Sequence, residues 1–141
     1  MIDIKQVHKS FGNREILKGI DLHVPTGSVT VILGPSGSGK TTFLRTLNFL
    51  EKADAGTMQL NDISVDLHKA SNKEILNARR NTSMVFQSYN LFSNKTVIEN
   101  IMEGLVTVKK MKKSQAREIA QRFLKEVGME GYDDYYPVQL S

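Results

Sequence analysis

The chemistry of this sequence is concentrated in one glycine-rich segment of nine residues. A triphosphate carries several negative charges close together. Backbone N–H groups can surround it only where a loop curls tightly and no side chain blocks the approach. Three glycines supply that freedom, Lys40 supplies a cation for the β- and γ-phosphates, and the Thr41 hydroxyl suits Mg²⁺. The segment therefore predicts a phosphate-binding loop formed by Gly34, Pro35, Ser36, Gly37, Ser38, Gly39, Lys40, Thr41 and Thr42.

The flanks of this loop agree with that interpretation. The apolar run Val29–Leu33 precedes it and predicts a strand, and Phe43–Leu47 follows it and predicts a helix. The first turn of such a helix presents unpaired N–H groups and the positive end of its dipole to an anion. An incidental glycine-rich turn is the alternative, and the agreement of motif and context argues against it.

Composition and charge narrow the class of protein. The 141 residues are 40% apolar and 24% charged, which predicts one domain with a real core. The sequence has no cysteine, no membrane-spanning window and no signal-peptide pattern at Met1–Lys5, so we expect a cytosolic protein. His8, His23 and His68 are scattered without metal-ligand spacing.

A run of basic residues, Lys109–Lys113 followed by Arg117, contributes much of the net charge of +4. Such a run forms either a patch for nucleic acid or anionic lipid, or a solvated loop before a helix. No aromatic residues interleave with the lysines as stacking platforms would. We therefore favour the solvated loop and predict no nucleic-acid partner.

Around the phosphate loop, the pattern predicts a β-rich opening and a helical end. Alternating residues indicate strands at Ile2–Val7 and Ile20–Val24, and shorter strands are expected at Thr57–Leu60 and Thr82–Phe86. The helix after the loop is predicted to bury one apolar face. That face consists of Phe43, Leu44, Leu47 and Leu50.

Capping signals place the remaining helices. Capping boxes at Ser71–Glu74 and Thr96–Glu99 each open a helix, and Ser114 is expected to cap another that ends at Gly128. The predicted organisation is a nucleotide-binding core over residues 1–87 and a partial helical subdomain over residues 88–141. The fold class is α/β.

Three further motifs resemble one family. They are Lys9–Gly12 ahead of the loop, Met84–Gln87 with the residues up to Ile101, and Tyr136–Ser141 at the end of the sequence. Together with the loop, they resemble the ATP-binding subunit of ATP-binding-cassette transporters, and most closely that of importers of polar amino acids. The resemblance covers essentially the whole chain.

The resemblance implies a role for each motif, with ATP and Mg²⁺ as cofactors. Phe11 is similar to the aromatic residue that stacks on adenine, although a core phenylalanine is the alternative. Gln87 is similar to the Q-loop glutamine that contacts Mg²⁺ or the attacking water, so Thr41 and Gln87 are the expected metal contacts. Ser141 resembles the signature serine that reaches the γ-phosphate of ATP held by an opposing subunit.

The resemblance also implies partners and a place in the cell. We expect a homodimer of ATP-binding subunits, a transmembrane permease and, indirectly, an extracytoplasmic solute-binding protein, at the cytoplasmic face of the membrane. The implied fold is a P-loop NTPase core with an N-terminal antiparallel β subdomain and the start of a helical subdomain.

The sequence departs from the family pattern in residues that hydrolysis requires. It contains no apolar strand ending in an aspartate with an adjacent glutamate, no switch histidine and only the start of the signature. Asp133 and Asp134 follow no apolar strand, and the stretch Ile63–Val65 before Asp66 is too short and polar for a buried strand. We therefore expect exposed sheet edges, and a chain that is unstable alone or is part of a longer protein.

Three other functions stay open at this stage. One is a truncated nucleotide-binding module without hydrolysis, and a second is the ATPase of an exporter or lipoprotein-release system. The third is a nucleic-acid ATPase, which only the lysine run supports.

Overall fold

The structure, a computed structural model, describes residues 1–140. Contacts between Cα atoms divide the chain into two compact units, the first spanning Met1–Met84 and the second beginning at Val85. The domain limits proposed from the sequence, residues 1–87 and 88–141, remain a prediction. Ser141 lies outside the described residues.

The first unit contains a four-stranded antiparallel sheet with strand order β2-β1-β3-β4. The strands are β1 (Ile2–Phe11), β2 (Arg14–Val24), β3 (Ala55–Leu60) and β4 (Ile63–Asp66). The buried residues of β1 are Ile4, Val7 and Lys9, and the alternation of buried and exposed residues is interrupted at Gln6. The predicted β-rich opening is therefore confirmed, with strands longer than the pattern indicated.

A bulge in β1 brings two strands unusually close. Gln6 has a left-handed φ of 51°, and the pairing of β1 with its neighbours shifts register at this point. Opposite the bulge, Gly56 has a φ of 122°, and a Cβ there would lie 2.8 Å from the Cα of Val7. Only glycine fits this approach, so Gly56 fixes how β3 lies against β1.

Two helices complete the first unit. They are α1 (Lys40–Leu47) and α2 (Asn72–Arg80), and α2 begins with the predicted capping box between Ser71 and Glu74. The buried core joins the sheet to both helices. It consists of Ile4, Val7, Leu17, Phe43, Ala53, Met58, Val65, Leu67 and Ala78.

The second unit is helical. Its elements are α3 (Val97–Glu103), a π-helical turn (Gly104–Val108), α4 (Lys113–Glu126) and a 3₁₀ turn (Pro137–Gln139). The predicted capping box opens α3. The Thr96 side chain accepts from the Glu99 N–H, and the Glu99 side chain accepts from the Thr96 N–H. The buried side chains of this unit are Val97, Ile98, Ala116, Ala120 and Leu124. No helix within residues 1–140 is both long and apolar enough to cross a membrane.

Two strands predicted from the sequence do not form. Val29–Leu33 and Thr82–Phe86 have no strand pairing, whereas Ile63–Asp66, which is too short and polar for a buried strand, forms a strand in which only Val65 is buried. A strand forms only where a neighbouring strand accepts its hydrogen bonds, and no sheet neighbour lies beside either unpaired segment within residues 1–140. β4 forms despite its short, polar sequence because β3 pairs with it directly.

The predicted helix faces need smaller corrections. In α1 the buried residues are Phe43 and Thr46, while Leu44 is about half exposed. Leu50 is also about half exposed and lies beyond the end of α1 at Leu47. Thr46 is tolerated in the core because its hydroxyl donates to the Phe43 carbonyl at 2.7 Å. α4 begins at Lys113 after an N-cap at Lys112, so Ser114 is not its cap.

Candidate functional site

The phosphate loop predicted from the sequence folds around the side chain of Lys40. The ammonium Nζ donates to the carbonyl oxygens of Gly34 and Pro35 at 2.7 and 2.8 Å, and lies 3.5 Å from Oγ of Ser38. These contacts curl the segment between residues 34 and 40 into a closed turn. The cation is therefore held at the centre of the loop, where phosphate oxygens would have to bind.

The first turn of α1 supplies the N–H donors of this site. The first helical hydrogen bond runs from the Phe43 N–H to the Gly39 carbonyl at 2.8 Å, and the N-cap has no side-chain hydrogen bond. The N–H groups of Lys40, Thr41 and Thr42 thus precede the first acceptor that the helix offers. Donors, helix dipole and ammonium all favour an anion at this point.

Packing against β2 explains the glycine directly before Lys40. Gly39 has a φ of 94°, and a Cβ there would lie 2.9 Å from Cγ2 of Ile16 and 3.2 Å from Cδ2 of Leu17. The helix start therefore rests on β2 with no room for a side chain. The sequence motif requires this glycine for the phosphate, and the fold requires it for packing as well.

The hydroxyl residues of the loop are accessible. Ser36, Ser38 and Thr41 are exposed, and Thr42 is half-buried. Hydroxyl oxygens are hard ligands that suit Mg²⁺, and Thr41 follows the lysine directly, at the start of the helix. The donor set of the loop thus fits a metal-bound nucleotide.

Phe11 lies at the end of β1, close to this loop in the sheet register. It pairs with Arg14 across the hairpin, and Ile16, two residues further along β2, touches the position of Gly39. Two residues of strand span roughly 7 Å. Phe11 is 50% exposed, so the alternative of a core phenylalanine does not hold. The hairpin places a half-exposed aromatic ring near the phosphate loop.

An unpredicted lysine packs against this ring. Nζ of Lys9 lies 4.8 Å from the centroid of the Phe11 ring. The only sequence signal for this contact is the two-residue spacing, which puts both side chains on one face of a strand.

Gln87 lies in the second unit, in an exposed turn. The turn continues through Tyr89 and Asn90, which have left-handed φ values of 58° and 52°. Neither is glycine, so this backbone is strained. We name the segment Gln87–Lys95 the glutamine loop.

A single amide side chain fastens the end of the glutamine loop to α3. Oδ1 of Asn100 accepts from the Phe92 N–H at 2.8 Å, and Nδ2 lies 3.1, 3.1 and 2.9 Å from the carbonyl oxygens of Phe92, Lys95 and Thr96. Asn100 lies in the segment up to Ile101 that carries the family resemblance, but the resemblance implies no role for it. Nothing local in the sequence indicates these contacts.

An ion pair lies beside this clamp. Lys95 donates to Glu103, which also accepts from the Thr107 hydroxyl at 2.9 Å. The pKa of Glu103 lies below its ordinary value. The hydrogen bond from Lys95 is the largest cause, and the hydrogen bond from Thr107 is the second. The ammonium of Lys95 also lies 4.8 Å from the centre of the Phe92 ring.

The structure brings some of the predicted site residues together and not others. The phosphate loop and Phe11 belong to the first unit, and Gln87 belongs to the second. The roles predicted for all of them remain predictions, and Ser141 lies outside the described residues.

Fold and loop define a phosphate-loop nucleotide-binding protein of the α/β class. The family model described as ABC transporter matches residues 17–141, and the chain belongs to that family. The resemblance and the fold class derived from the sequence are thereby confirmed.

The most similar relatives include ATP-binding proteins of amino acid transport systems. The chain is 50% identical over 141 residues to the L-cystine import ATP-binding protein TcyN of Bacillus subtilis, covering 54% of its length. It is 47% identical over 148 residues to the arginine transport ATP-binding protein ArgV of Corynebacterium glutamicum, covering 58% of its length. In both comparisons all of this chain is covered, so it spans somewhat more than half of these relatives.

A solved structure has the same fold. The dimeric ATP-binding cassette MJ0796, in a post-hydrolysis state bound to ADP and Pi, matches with a TM-score of 0.84 and 30% identity. The match covers 100% of this chain and 63% of that one.

Proposed function

We propose that this chain is the nucleotide-binding part of an ATP-binding subunit that energises the uptake of polar amino acids. The observation that carries the proposal is the position of Lys40, whose ammonium is held by two loop carbonyls in front of the free N–H groups of α1. The names of the relatives, which refer to cystine and arginine transport, support the choice of substrate class.

In this proposal the nucleotide extends from the phosphate loop toward Phe11. The loop N–H groups and Lys40 bind the β- and γ-phosphates, and the exposed ring of Phe11 stacks on the base. Mg²⁺, held by Thr41, neutralises phosphate charge when it is bound. Gln87 is proposed, from its motif alone, to contact the metal or the attacking water.

The hydrogen bonds of Lys40 change when phosphate binds to this loop. Its ammonium satisfies the carbonyls of Gly34 and Pro35 in the conformation described here. An incoming phosphate competes for the same three N–H donors of the ammonium. Binding therefore redistributes bonds around a cation that is already in place, and little of its side-chain freedom is lost on binding.

The proposed partners follow from the family. Two subunits close around ATP, and their closing and reopening move a permease that receives its substrate from a solute-binding protein. The subunit then lies at the cytoplasmic face of the membrane. An exporter or lipoprotein-release role would share the chemistry, but the two relatives described above are named for cystine import and arginine transport.

A second candidate is nucleotide binding without hydrolysis. Asp66, the one aspartate that ends a strand of the described sheet, accepts the N–H groups of His68 and Lys69 at 2.8 and 2.9 Å. Both bonds go to Oδ1, and they lower the pKa of Asp66, the bond from Lys69 first. Asp66 ends a four-residue edge strand in which only Val65 is buried, so we do not assign it the magnesium-binding role in hydrolysis.

The decisive experiment is calorimetric titration of Mg-ATP into the purified protein and its Lys40→Ala variant, followed by phosphate-release assays. Binding that the variant weakens, together with phosphate release, supports the transport ATPase. Binding without release supports the second candidate, and no binding to either protein contradicts both. Uptake of labelled amino acid by a deletion strain separates import from export, and stimulation by DNA or RNA would point to a nucleic-acid ATPase.

A further inference from the structure

The side chain of Lys9 is fixed beneath the ring of Phe11. Alternation along β1 places both side chains on one face of the strand, and Nζ lies 4.8 Å from the ring centroid. The lysine side chain is 11% exposed, whereas the phenylalanine is 50% exposed. One face of the ring is therefore covered by a cation, and much of the remaining ring surface is open.

Three oxygen atoms hold the ammonium in this place. Nζ lies 2.7 Å from the carbonyl oxygen of Lys52, 2.8 Å from Oε1 of Glu51 and 3.9 Å from Oδ1 of Asp54. Asp54 is itself fixed, because its Oδ2 accepts from the Ser10 N–H at 2.6 Å. The cation is anchored to the turn before β3, so its position does not depend on Phe11.

We propose that Lys9 is a positioning residue for the nucleotide base. A cation on one face of an aromatic ring is attracted to that face and favours one orientation of the ring. The ring is thereby held with its other face available for stacking, and less ordering is needed when a base arrives. This inference rests on the proposed nucleotide site and adds a residue that positions the ring on which the base stacks.

A plain structural role is the competing explanation. In that case Lys9 only ties β1 to the turn at Glu51–Asp54, and its loss affects the whole unit. The two explanations predict that different ligands bind more weakly when Lys9 is replaced. A positioning role affects ligands that carry a base, whereas a structural role affects every ligand of the loop.

The test compares Mg-ATP with magnesium tripolyphosphate, which has no base, by calorimetry on the purified protein. We expect Lys9→Met to weaken ATP binding about three- to tenfold, as estimated from cation–π energies, and to leave tripolyphosphate binding unchanged. Lys9→Arg should keep most of the ATP affinity because it retains the cation. Lys9→Gln keeps a donor for the Lys52 carbonyl and should weaken ATP binding as Lys9→Met does. It replaces Lys9→Met in the test if that variant fails to fold.

A double-mutant cycle with Phe11→Ala completes the test. Lys9→Met should have no further effect on ATP binding once the ring is absent. Equal weakening of both ligands, unchanged ATP binding or a full additional effect in the Phe11→Ala background would each overturn the inference. The proposed function fails separately, if Lys40→Ala leaves the binding of both ligands intact, and wild-type protein that binds neither ligand would overturn both.

Discussion

The phosphate loop and the glutamine loop are both exposed turns with functional predictions, but they are held in different ways. In the phosphate loop, glycines adopt the unusual backbone angles and Lys40 bonds to carbonyls five and six residues away. In the glutamine loop, Tyr89 and Asn90 adopt left-handed angles, and Asn100 of a following helix holds the end of the segment.

The comparison shows that the conformation of one loop is set by residues inside it, whereas the other loop is held by a side chain outside it. The phosphate loop is specified by residues inside it, so its motif predicts its shape. The glutamine loop depends on one side chain outside it and on residues that tolerate strain. We therefore expect substitutions in the first loop to act on binding and local packing together, and substitutions around the second to act on loop order.

The largest effect is expected for Gly39→Ala. The new Cβ would meet Cγ2 of Ile16 at 2.9 Å in a backbone conformation that disfavours side chains. Strain and overpacking together should lower the free energy of unfolding by about 2–5 kcal/mol, measured by urea denaturation. Mg-ATP binding should fall with it.

Gly37→Ala is the matched control, because Gly37 has a φ of 77° and a Cβ there would have no atom within 4 Å. The Gly37→Ala variant should lose only the part of the unfolding free energy that comes from backbone strain, because its new Cβ overpacks nothing. Adding Ile16→Ala to Gly39→Ala should recover part of the lost stability. Equal losses in the Gly37 and Gly39 variants would show that contact with β2 does not constrain the loop.

The next effect is expected for Lys40→Ala. It removes the cation at the centre of the loop, and charge-assisted hydrogen bonds of this kind are worth about 1.5–3 kcal/mol. Mg-ATP affinity should fall about ten- to a hundredfold in calorimetry. The exposed Lys73 on α2 provides a control of equal charge, and Lys73→Ala should bind as the wild type does. Similar losses in both variants would indicate a general charge effect.

A smaller effect is expected for Asn100→Ala. The substitution leaves the Phe92 N–H and the Lys95 carbonyl without this partner. The carbonyls of Phe92 and Thr96 keep the backbone bonds from the Lys95 and Asn100 N–H groups, so the free energy of unfolding should fall by about 1–2 kcal/mol. Hydrogen exchange at the Phe92 amide should accelerate more than exchange within α4. Asn94→Ala, in the same loop and exposed, is the control. Unchanged exchange at Phe92 would show that Asn100 does not hold the loop.

The smallest effect concerns pH and the pair formed by Lys95 and Glu103. The folded-state pKa of Glu103 lies below its ordinary value, chiefly because of the hydrogen bond from Lys95. Its stabilising contribution is therefore present above that value and is lost as pH falls through the lowered pKa. Glu103→Gln should lower the thermal midpoint at pH 7 and make little difference in strong acid.

The exposed Glu130 provides the control for this pH series, since a Glu130→Gln variant removes a carboxylate outside the described ion pairs of residues 1–140. Thermal melts of the three proteins between pH 7 and pH 3 measure the difference directly. A Glu103→Gln difference that grows on acidification would have the wrong sign for a lowered pKa.

Strand formation shows where sequence patterns are insufficient. Val29–Leu33 is apolar and β-branched, yet Val29 and Leu33 are 91% and 86% exposed and the segment is unpaired. The polar stretch Ile63–Asp66 forms a strand because β3 pairs with it. Propensity describes how well a segment suits a sheet, and pairing decides whether the strand forms.

The sequence by itself determined the features whose causes lie within a few residues. These are the phosphate loop, the helix after it, both capping boxes and the alternating strands of the four-stranded sheet. Glycine conformations, helix caps and side-chain periodicity are local properties, so a motif suffices to predict them.

Only the tertiary structure decided which distant groups meet. It placed Ile16 against Gly39, and Glu51 and the Lys52 carbonyl against the ammonium of Lys9. These contacts depend on strand register and on the turn at residues 51–54. Register is set by pairing over many residues, so no short pattern around Lys9 or Gly39 reveals them.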